Sequence, residues 1–359
     1  MKSNGVFSDL KVVELATVLA GPAVGLWFAE MGAEVIKVEN PSIGGDVTRH
    51  WKAQGEEVKG KVSAYFASVN ALKKHLWLDL RNAGDVLELF KLLESTDVLI
   101  VNFKHGDEEK FGLSYTDLKE KFPRLIYAAI RGFRTNPARV AYDVVIQAEC
   151  GFMSMNGEKD SEPLKMPIAL MDILAANQLK EGILTALLQR SKSGKGVFVH
   201  TSLEDSALAA LVNQGSNFLM NGKIPQRMGS LHPNIAPYGE QFICADGTRL
   251  VLAVGSDTQF SALCKLLGAG MLAMDERFSN NAARVNNREA LQDELRPLFS
   301  KQRGVEIYAQ MLELNIPVGM VKDLQQVLTD PAHARRILES IEEGIPCKRM
   351  RTIAFEIKD

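Results

Sequence analysis

The pattern of this chain isolates one chemistry-bearing side chain, Asp172. It is the only acidic residue between Glu162 and Glu181, and it stands where an apolar extended run, Ile168 to Met171, gives way to a helical one. Leu174, Leu179, Ile183, Leu184, Leu187 and Leu188 fit helical spacing with no proline among them, which predicts a largely buried helix. A carboxylate at its N-cap or in its first turn meets free N–H groups and the favourable end of the helix dipole. Taken alone, the pattern describes a helix cap. Other reactive residues have weaker settings: Cys150 has no partner in the sequence and reads as core. His232 beside Pro233 reads as a loop histidine with a structural hydrogen bond, and Ser193-Gly-Lys-Gly196 lacks the spacing of a phosphate loop and reads as a turn.

The elements that must position Asp172 alternate between two periods. Leu10 to Ala16 reads as a buried strand, Ala20-Gly-Pro22 turns the chain, and Val24 to Met31 forms a helix stopped by Gly32. Ala33 to Glu39 is a second strand, so the start is a βαβ unit with parallel strands. Its turn lacks the GxGxxG dinucleotide fingerprint. A helix over Asp85–Leu93, a strand over Asp97–Phe103, a short helix within Leu113–Lys121, a strand over Arg124–Ile130 and a helix from Tyr142 to Cys150 follow. Beyond the Asp172 helix come a strand over Val197–Leu203 and one long helix, Glu204 to Met220. Gln241–Ala245, Asp246-Gly247 and Thr248–Val254 spell a hairpin, Asp257 can cap a helix over Gln259–Leu267, and further helices fit Arg288–Phe299 and Val305–Leu314. These elements predict an α/β fold: a large domain over 1–200 with a parallel, Rossmann-like sheet, completed by about 318–359, a linker over 201–235, and a small α+β domain over 236–315.

Composition narrows the function. A chain of 359 residues with 46% hydrophobic and 24% charged residues reads as an ordinary globular protein, long for one core. A net charge of −2 supplies no global attraction for nucleic acid or an anionic membrane. The most apolar strand-like segment, Thr96 to Phe103, is too short to span a bilayer, and the N-terminus lacks the apolar core of a signal peptide. Four widely spaced cysteines read as reduced thiols of a cytoplasmic protein, and the six histidines form no HxxxH or HExxH metal motif.

An ordered series of short motifs then resembles one family. Leu10 to Ala16, Ala20-Gly-Pro22, Gly32 to Glu39, Gly45-Asp46, Arg49, Leu78-Asp-Leu80 and Asp97 to Phe103 arrive in the order typical of class III (CaiB/BaiF-type) CoA transferases. Gly112-Leu113, Pro123 to Tyr127, Tyr142-Asp143, Gln147-Ala148, Thr185 to Arg190 with Ser193 to Gly196, Pro233 to Gly239, Asp246-Gly247, Arg284 to Arg288 and Ile316 to Gly319 continue the series, which covers about residues 8–335. Each piece is weak alone, whereas the ordered set is specific.

The resemblance implies that Asp172 is the nucleophile. It would attack the thioester of an acyl-CoA to give an acyl–aspartyl anhydride, then carry CoA as an aspartyl thioester until a carboxylate acceptor takes it. Such a carboxylate must be positioned and kept dry, because water would hydrolyse each intermediate. No cofactor is held permanently, no metal is implied, and coenzyme A enters as part of the substrates. The resemblance places CoA against the first βα turn (Thr17, Val18, Leu19, Ala20), Leu78, Asp79, Leu80 and Arg81, Asn102, Phe103 and Lys104, Lys110, and Arg139 with Tyr142 and Asp143. Lys73, Lys74, Arg81, Lys104 and Lys110 would put cations near the strand ends, where open α/β sheets bind ligands. It also implies an interlocked homodimer.

Three departures qualify the match. Thr17 and Leu19 stand where some relatives carry histidine and glutamine. Gly229-Ser-Leu-His-Pro233 is a short substitute for a glycine-rich shielding loop, which argues against oxalate as acceptor. The family pattern also leads one to expect a helical tail of about forty residues beyond Asp359. Two other readings stay open. An α-methylacyl-CoA racemase-like enzyme would share the fold, although Tyr142-Asp143 replaces the histidine that it needs as base. A non-catalytic CoA-binding relative is the other.

Overall fold

The computed structural model of the protein describes residues 5–56 and 61–358. In chain order the regular elements are β1 (Lys11–Leu15), α1 (Ala20–Glu30), β2 (Glu34–Glu39), α2 (Ala64–Asn70), β3 (Lys74–Trp77), α3 (Ala83–Leu93), β4 (Val98–Val101), α4 (Asp107–Lys110), α5 (Tyr115–Leu118) and β5 (Ile126–Arg131). Then follow α6 (Asp143–Glu149), α7 (Phe152–Met155), α8 (Leu170–Ser193), β6 (Phe198–Ser202), α9 (Leu203–Ala209), α10 (Val212–Asn221), β7 (Tyr238–Ile243), β8 (Arg249–Ala253) and α11 (Asp257–Leu266). The remainder are α12 (Asn281–Asn286), α13 (Arg288–Phe299), α14 (Gly304–Glu313), β9 (Val318–Met320), α15 (Leu324–Leu328), β10 (Ile337–Glu342) and β11 (Ile345–Met350).

The chain divides into two compact units. The first comprises 1–152, 165–224 and 332–359. Its six parallel strands run in the order β3-β2-β1-β4-β5-β6, the doubly wound arrangement of a Rossmann-like sheet. Alternation along the strands explains why both faces are covered. Val12, Ile100 and Ala128 pack into one core with α1 and α8, while Val13, Leu99 and Tyr127 pack into the other with α3 and α5. The strand order reverses between the parallel strands β1 and β4, so the loops after these two strands diverge and open a crevice at their carboxyl ends.

The second unit comprises 153–164 and 225–331, with an antiparallel sheet β7-β8-β9 packed on α11, α13 and α14 around Phe242, Leu250, Phe260, Leu295 and Phe299. The hairpin at Asp246-Gly247 forms as its spacing requires. Several sequence expectations need correction. Val318–Met320 does not lead back to the large unit but is the third strand of the small one, pairing with β8, and the return comes at 332. The expected helix over 204–220 is two helices, broken at Ala210–Leu211. Ser256 rather than Asp257 caps α11, through a capping box with Gln259. The helix carrying Asp172 buries only one face, in which Ala175, Ala176 and Ala186 alternate with Leu179 and Ile183, and leaves Leu184 and Leu188 outside.

Candidate active site

Asp172 is the third residue of α8, not its cap. The residue at the cap position, Ala169, offers no side-chain acceptor, and the first turn is capped from another helix instead. Asp143, which opens α6, accepts the Met171 N–H at 2.7 Å. One turn on, Gln147 donates to the other Asp143 oxygen and accepts the Met166 N–H at 2.7 Å. Two side chains of α6 therefore fix both ends of the segment that delivers Asp172.

Asp172 itself is only 9% exposed, and its carboxylate has no hydrogen-bond partner among the described residues. Burial, and secondarily the charge of Asp143, push its pKa up to about 7. A largely buried carboxylate that no protein donor solvates is a stronger nucleophile once ionised. Tyr65 on α2 belongs to the same surroundings. Its hydroxyl pKa is raised to about 12 by burial and by the charges of Asp172, Asp143 and Asp46. Nothing in the local sequence signals Tyr65, because α2 is short and its place beside Asp172 is set by tertiary packing.

Two cavities meet at the crevice between β1 and β4. The first, about 420 Å³, is lined by Thr17, Val18, Leu19, Ala20, Asn102–His105, Ile130–Gly132, Pro137–Tyr142, Leu203 and Asp172. The second, about 390 Å³, is lined among others by Asn40, Ser42, Gly45, Leu78, Asp79, Leu80, Arg81, Asp107 and Phe111. Both share Thr17, Asn102, Phe103 and Lys104. Asn102 ties the two loops together, accepting the Thr17 N–H at 3.0 Å and donating to the Thr17 carbonyl at 2.9 Å. The combined cleft suits a long ligand with a reactive group at one end and a polar head at the other.

Cations are unequally available to such a ligand. Lys104, at the junction, has no ion-pair partner among the described residues. Arg81 is exposed and held by Asp79 at 2.6 Å and by Ser42 at 2.7 Å. Arg139 pairs with Glu149 and lies 4.3 Å from the centre of the Phe133 ring. Lys110 and Asp143 line neither cavity: Lys110 sits 5.4 Å from the ring of Phe111, and the Asp143 carboxylate is engaged by Met171 and Gln147. Lys73 and Lys74 stand at the start of β3, away from its carboxyl end. Lys73 is buried against Glu14, and Lys74 pairs with Glu34 at the surface. Cys150 is core, its thiol pKa raised by burial. His232 accepts the Asn234 N–H at 3.1 Å, and Gly194 is the left-handed C-cap of α8.

The first βα turn is strained. Val18 has φ of 71°, a region costing a β-branched residue about 1–3 kcal/mol. Its N–H points to both carboxylate oxygens of Asp46, at 3.3 Å each.

A doubly wound sheet, a cleft for a long ligand at its switch point and a largely buried carboxylate at one end suit an α/β enzyme of acyl transfer. The family model for CoA-transferase family III matches residues 7–358. The chain is 37% identical over 357 residues to the succinate–glutarate CoA-transferase of Agrobacterium fabrum, covering 96% of this chain and 88% of that one. It is 34% identical to the succinyl-CoA:mesaconate CoA-transferase of Haloarcula hispanica, covering 94% and 86%. Among solved structures, a CAIB/BAIF family protein from Brucella suis superposes with a TM-score of 0.82 at 38% identity, covering 98% of this chain and 92% of that one. The chain belongs to CoA-transferase family III. It is a CoA transferase.

Proposed function

We propose that the protein moves CoA from an acyl-CoA to a free dicarboxylic acid, with Asp172 as the covalent carrier. An Asp172 oxygen attacks the thioester carbonyl carbon and expels CoA thiolate, leaving an acyl–aspartyl anhydride. The thiolate attacks the aspartyl carbonyl, releasing the donor acid and leaving an aspartyl–CoA thioester. The acceptor carboxylate attacks that thioester and expels the thiolate again. The thiolate then takes the acceptor acyl group, and Asp172 is free. Each step exchanges one activated acyl bond for another, so no external energy source is consumed.

The observation that carries this reading is the largely buried carboxylate of Asp172, without a protein donor, in the cavity that adjoins the second one through Thr17, Asn102 and Lys104. The nucleotide end of CoA fits the cavity of Leu78 to Arg81, with Lys104 and Arg81 toward its phosphates. A dicarboxylate acceptor is supported by Lys104, which lines the Asp172 cavity with no ion-pair partner among the described residues; Arg131 and Arg139 line it too, paired with Glu108 and Glu149. The succinate, glutarate and mesaconate named for the two relatives belong to the same chemical class. The free cysteines favour a reducing cytoplasm. The exposed apolar side chains of α10, Leu219 and Met220, support a homodimer, which a mass measurement in solution checks.

Incubation with succinyl-CoA and hydroxylamine should place a hydroxamate on Asp172, read by mass spectrometry. No adduct, with transfer intact, refutes the covalent route. Exchange of the α-proton in deuterated water without transfer would instead support a racemase.

A further inference from the structure

A buried chain of alternating charges runs beneath the first βα turn. Lys73 meets Glu14 at 2.7 Å, the other Glu14 oxygen meets Lys37 at 2.9 Å, and Lys37 meets Asp46 at 3.0 Å. All four side chains are wholly inaccessible, and two charges of each sign leave no net charge buried. The lysines also grip the backbone on both sides of the turn: Lys37 donates to the Ala16 carbonyl at 2.6 Å, and Lys73 to the Pro22 carbonyl at 2.9 Å. Room for this chain is made by Gly25, where a methyl group would stand 1.9 Å from a Glu14 oxygen. Asp46 ends the series, accepting from Thr48 N–H and Oγ1 at 3.0 and 2.8 Å and from Val18 N–H.

Burying four charges is a poor way to gain stability, because desolvation offsets most of the attraction and apolar side chains of equal volume hold a core as well. What the charges supply is a fixed acceptor under Val18. Without it, a β-branched residue would relax to negative φ, swinging the turn that carries Thr17, Leu19 and Ala20. These residues line the cavity that holds Asp172, and Thr17 lines both cavities.

We propose that Asp46, braced by the Lys37–Glu14–Lys73 chain, is a positioning residue for CoA transfer: it holds Val18 in the left-handed conformation and so fixes the cavity wall that the acyl-CoA meets beside Asp172. This rests on the reading that the cleft takes an acyl-CoA. The test compares Asp46→Asn, Val18→Gly and the double variant. In the amide variant, one of the two oxygens that face Val18 N–H becomes an NH₂ group that cannot accept, and the charge that holds Lys37 is lost, so the acceptor under Val18 is weakened. The expected result is a kcat for transfer from succinyl-CoA to glutarate lowered about 10- to 100-fold per folded molecule, the scale of a misplacement of about an ångström. A crystal structure of that variant should show residue 18 at negative φ. Val18→Gly in the same background should restore at least half of the logarithmic loss, because glycine takes positive φ without steric cost. A merely structural Asp46 would lower the melting temperature and leave kcat per folded molecule alone, and glycine would then only add flexibility. Folded Asp46→Asn with kcat within about twofold of the parent, unchanged φ at residue 18, or a double variant no better than the single one each overturns the proposal. Should Asp46→Asn not fold, Lys37→Met with Asp46→Asn removes both charges, and the Val18→Gly comparison is made there. If the parent itself transfers nothing, the transferase reading fails while the conformation of residue 18 still decides the role of Asp46.

Discussion

Replacing Asp172 with asparagine should abolish transfer and, at the same time, make the protein progressively more stable than the parent as pH rises. The sign follows from the raised pKa. An acid whose folded pKa lies above its unfolded value holds its proton more tightly in the folded state, so its ionisation opposes folding. From the ordinary value of 3.8 to about 7 is a little over three pH units. At about 1.4 kcal/mol per unit, the ionised carboxylate costs the fold on the order of 4 kcal/mol above neutrality. The cost is absent below the unfolded pKa, grows between about pH 4 and 7 and is then constant. The amide differs from the acid in packing and hydrogen bonding too, but those differences do not vary with pH. Urea titrations of both proteins at pH 5 and pH 8 therefore isolate the effect. The stability gap should shift in favour of the asparagine variant by roughly 2–3 kcal/mol between those two values. A gap independent of pH, or one moving the other way, would refute a dry carboxylate at this position.

Three further outcomes follow from the same geometry. In the parent, kcat/KM for the acyl-CoA donor should rise with pH through about 7 as Asp172 ionises; Asp143→Asn removes the second cause of the raised pKa and should move that limb to lower pH. A limb that stays in place would show that another group governs it. Lys104→Ala should weaken CoA binding about tenfold or more, as loss of a charge-assisted contact implies, with less salt dependence and no change in melting temperature; calorimetry at two ionic strengths reads it. Arg349→Ala should cost about 1–3 kcal/mol in a urea melt, because it leaves one oxygen of the buried Glu30 carboxylate unpaired while the other keeps Thr352 and Ile353.

Where a feature depends on one element's own pattern, sequence reasoning reached it. The βαβ start, the strand at Val98–Val101 and the hairpin at Asp246-Gly247 all follow from periodicity and turn chemistry. It failed where apolar periodicity is weak. Strand β3, Lys-His-Leu-Trp at the edge of the sheet, buries no residue fully, and the β10–β11 hairpin is largely half-exposed, so neither shows an apolar run. The boundary near 318 failed for another reason. Val318–Met320 is as suitable for one sheet as for the other, and only pairing with β8 decides.

The opening aspartate divides along the same line. That Asp172 is the lone acid of its stretch, ahead of a helix, is a property of the sequence by itself. So are the types and order of the residues that became the cleft. Its burial, the cap of its helix from Asp143 and the nearness of Tyr65 belong to the tertiary structure alone. So does the buried chain from Lys73 to Asp46, whose partners lie up to 59 residues apart. Periodicity reports which face of an element is apolar. It carries no information about which charges meet across elements, and burial, pKa and strain depend on those meetings.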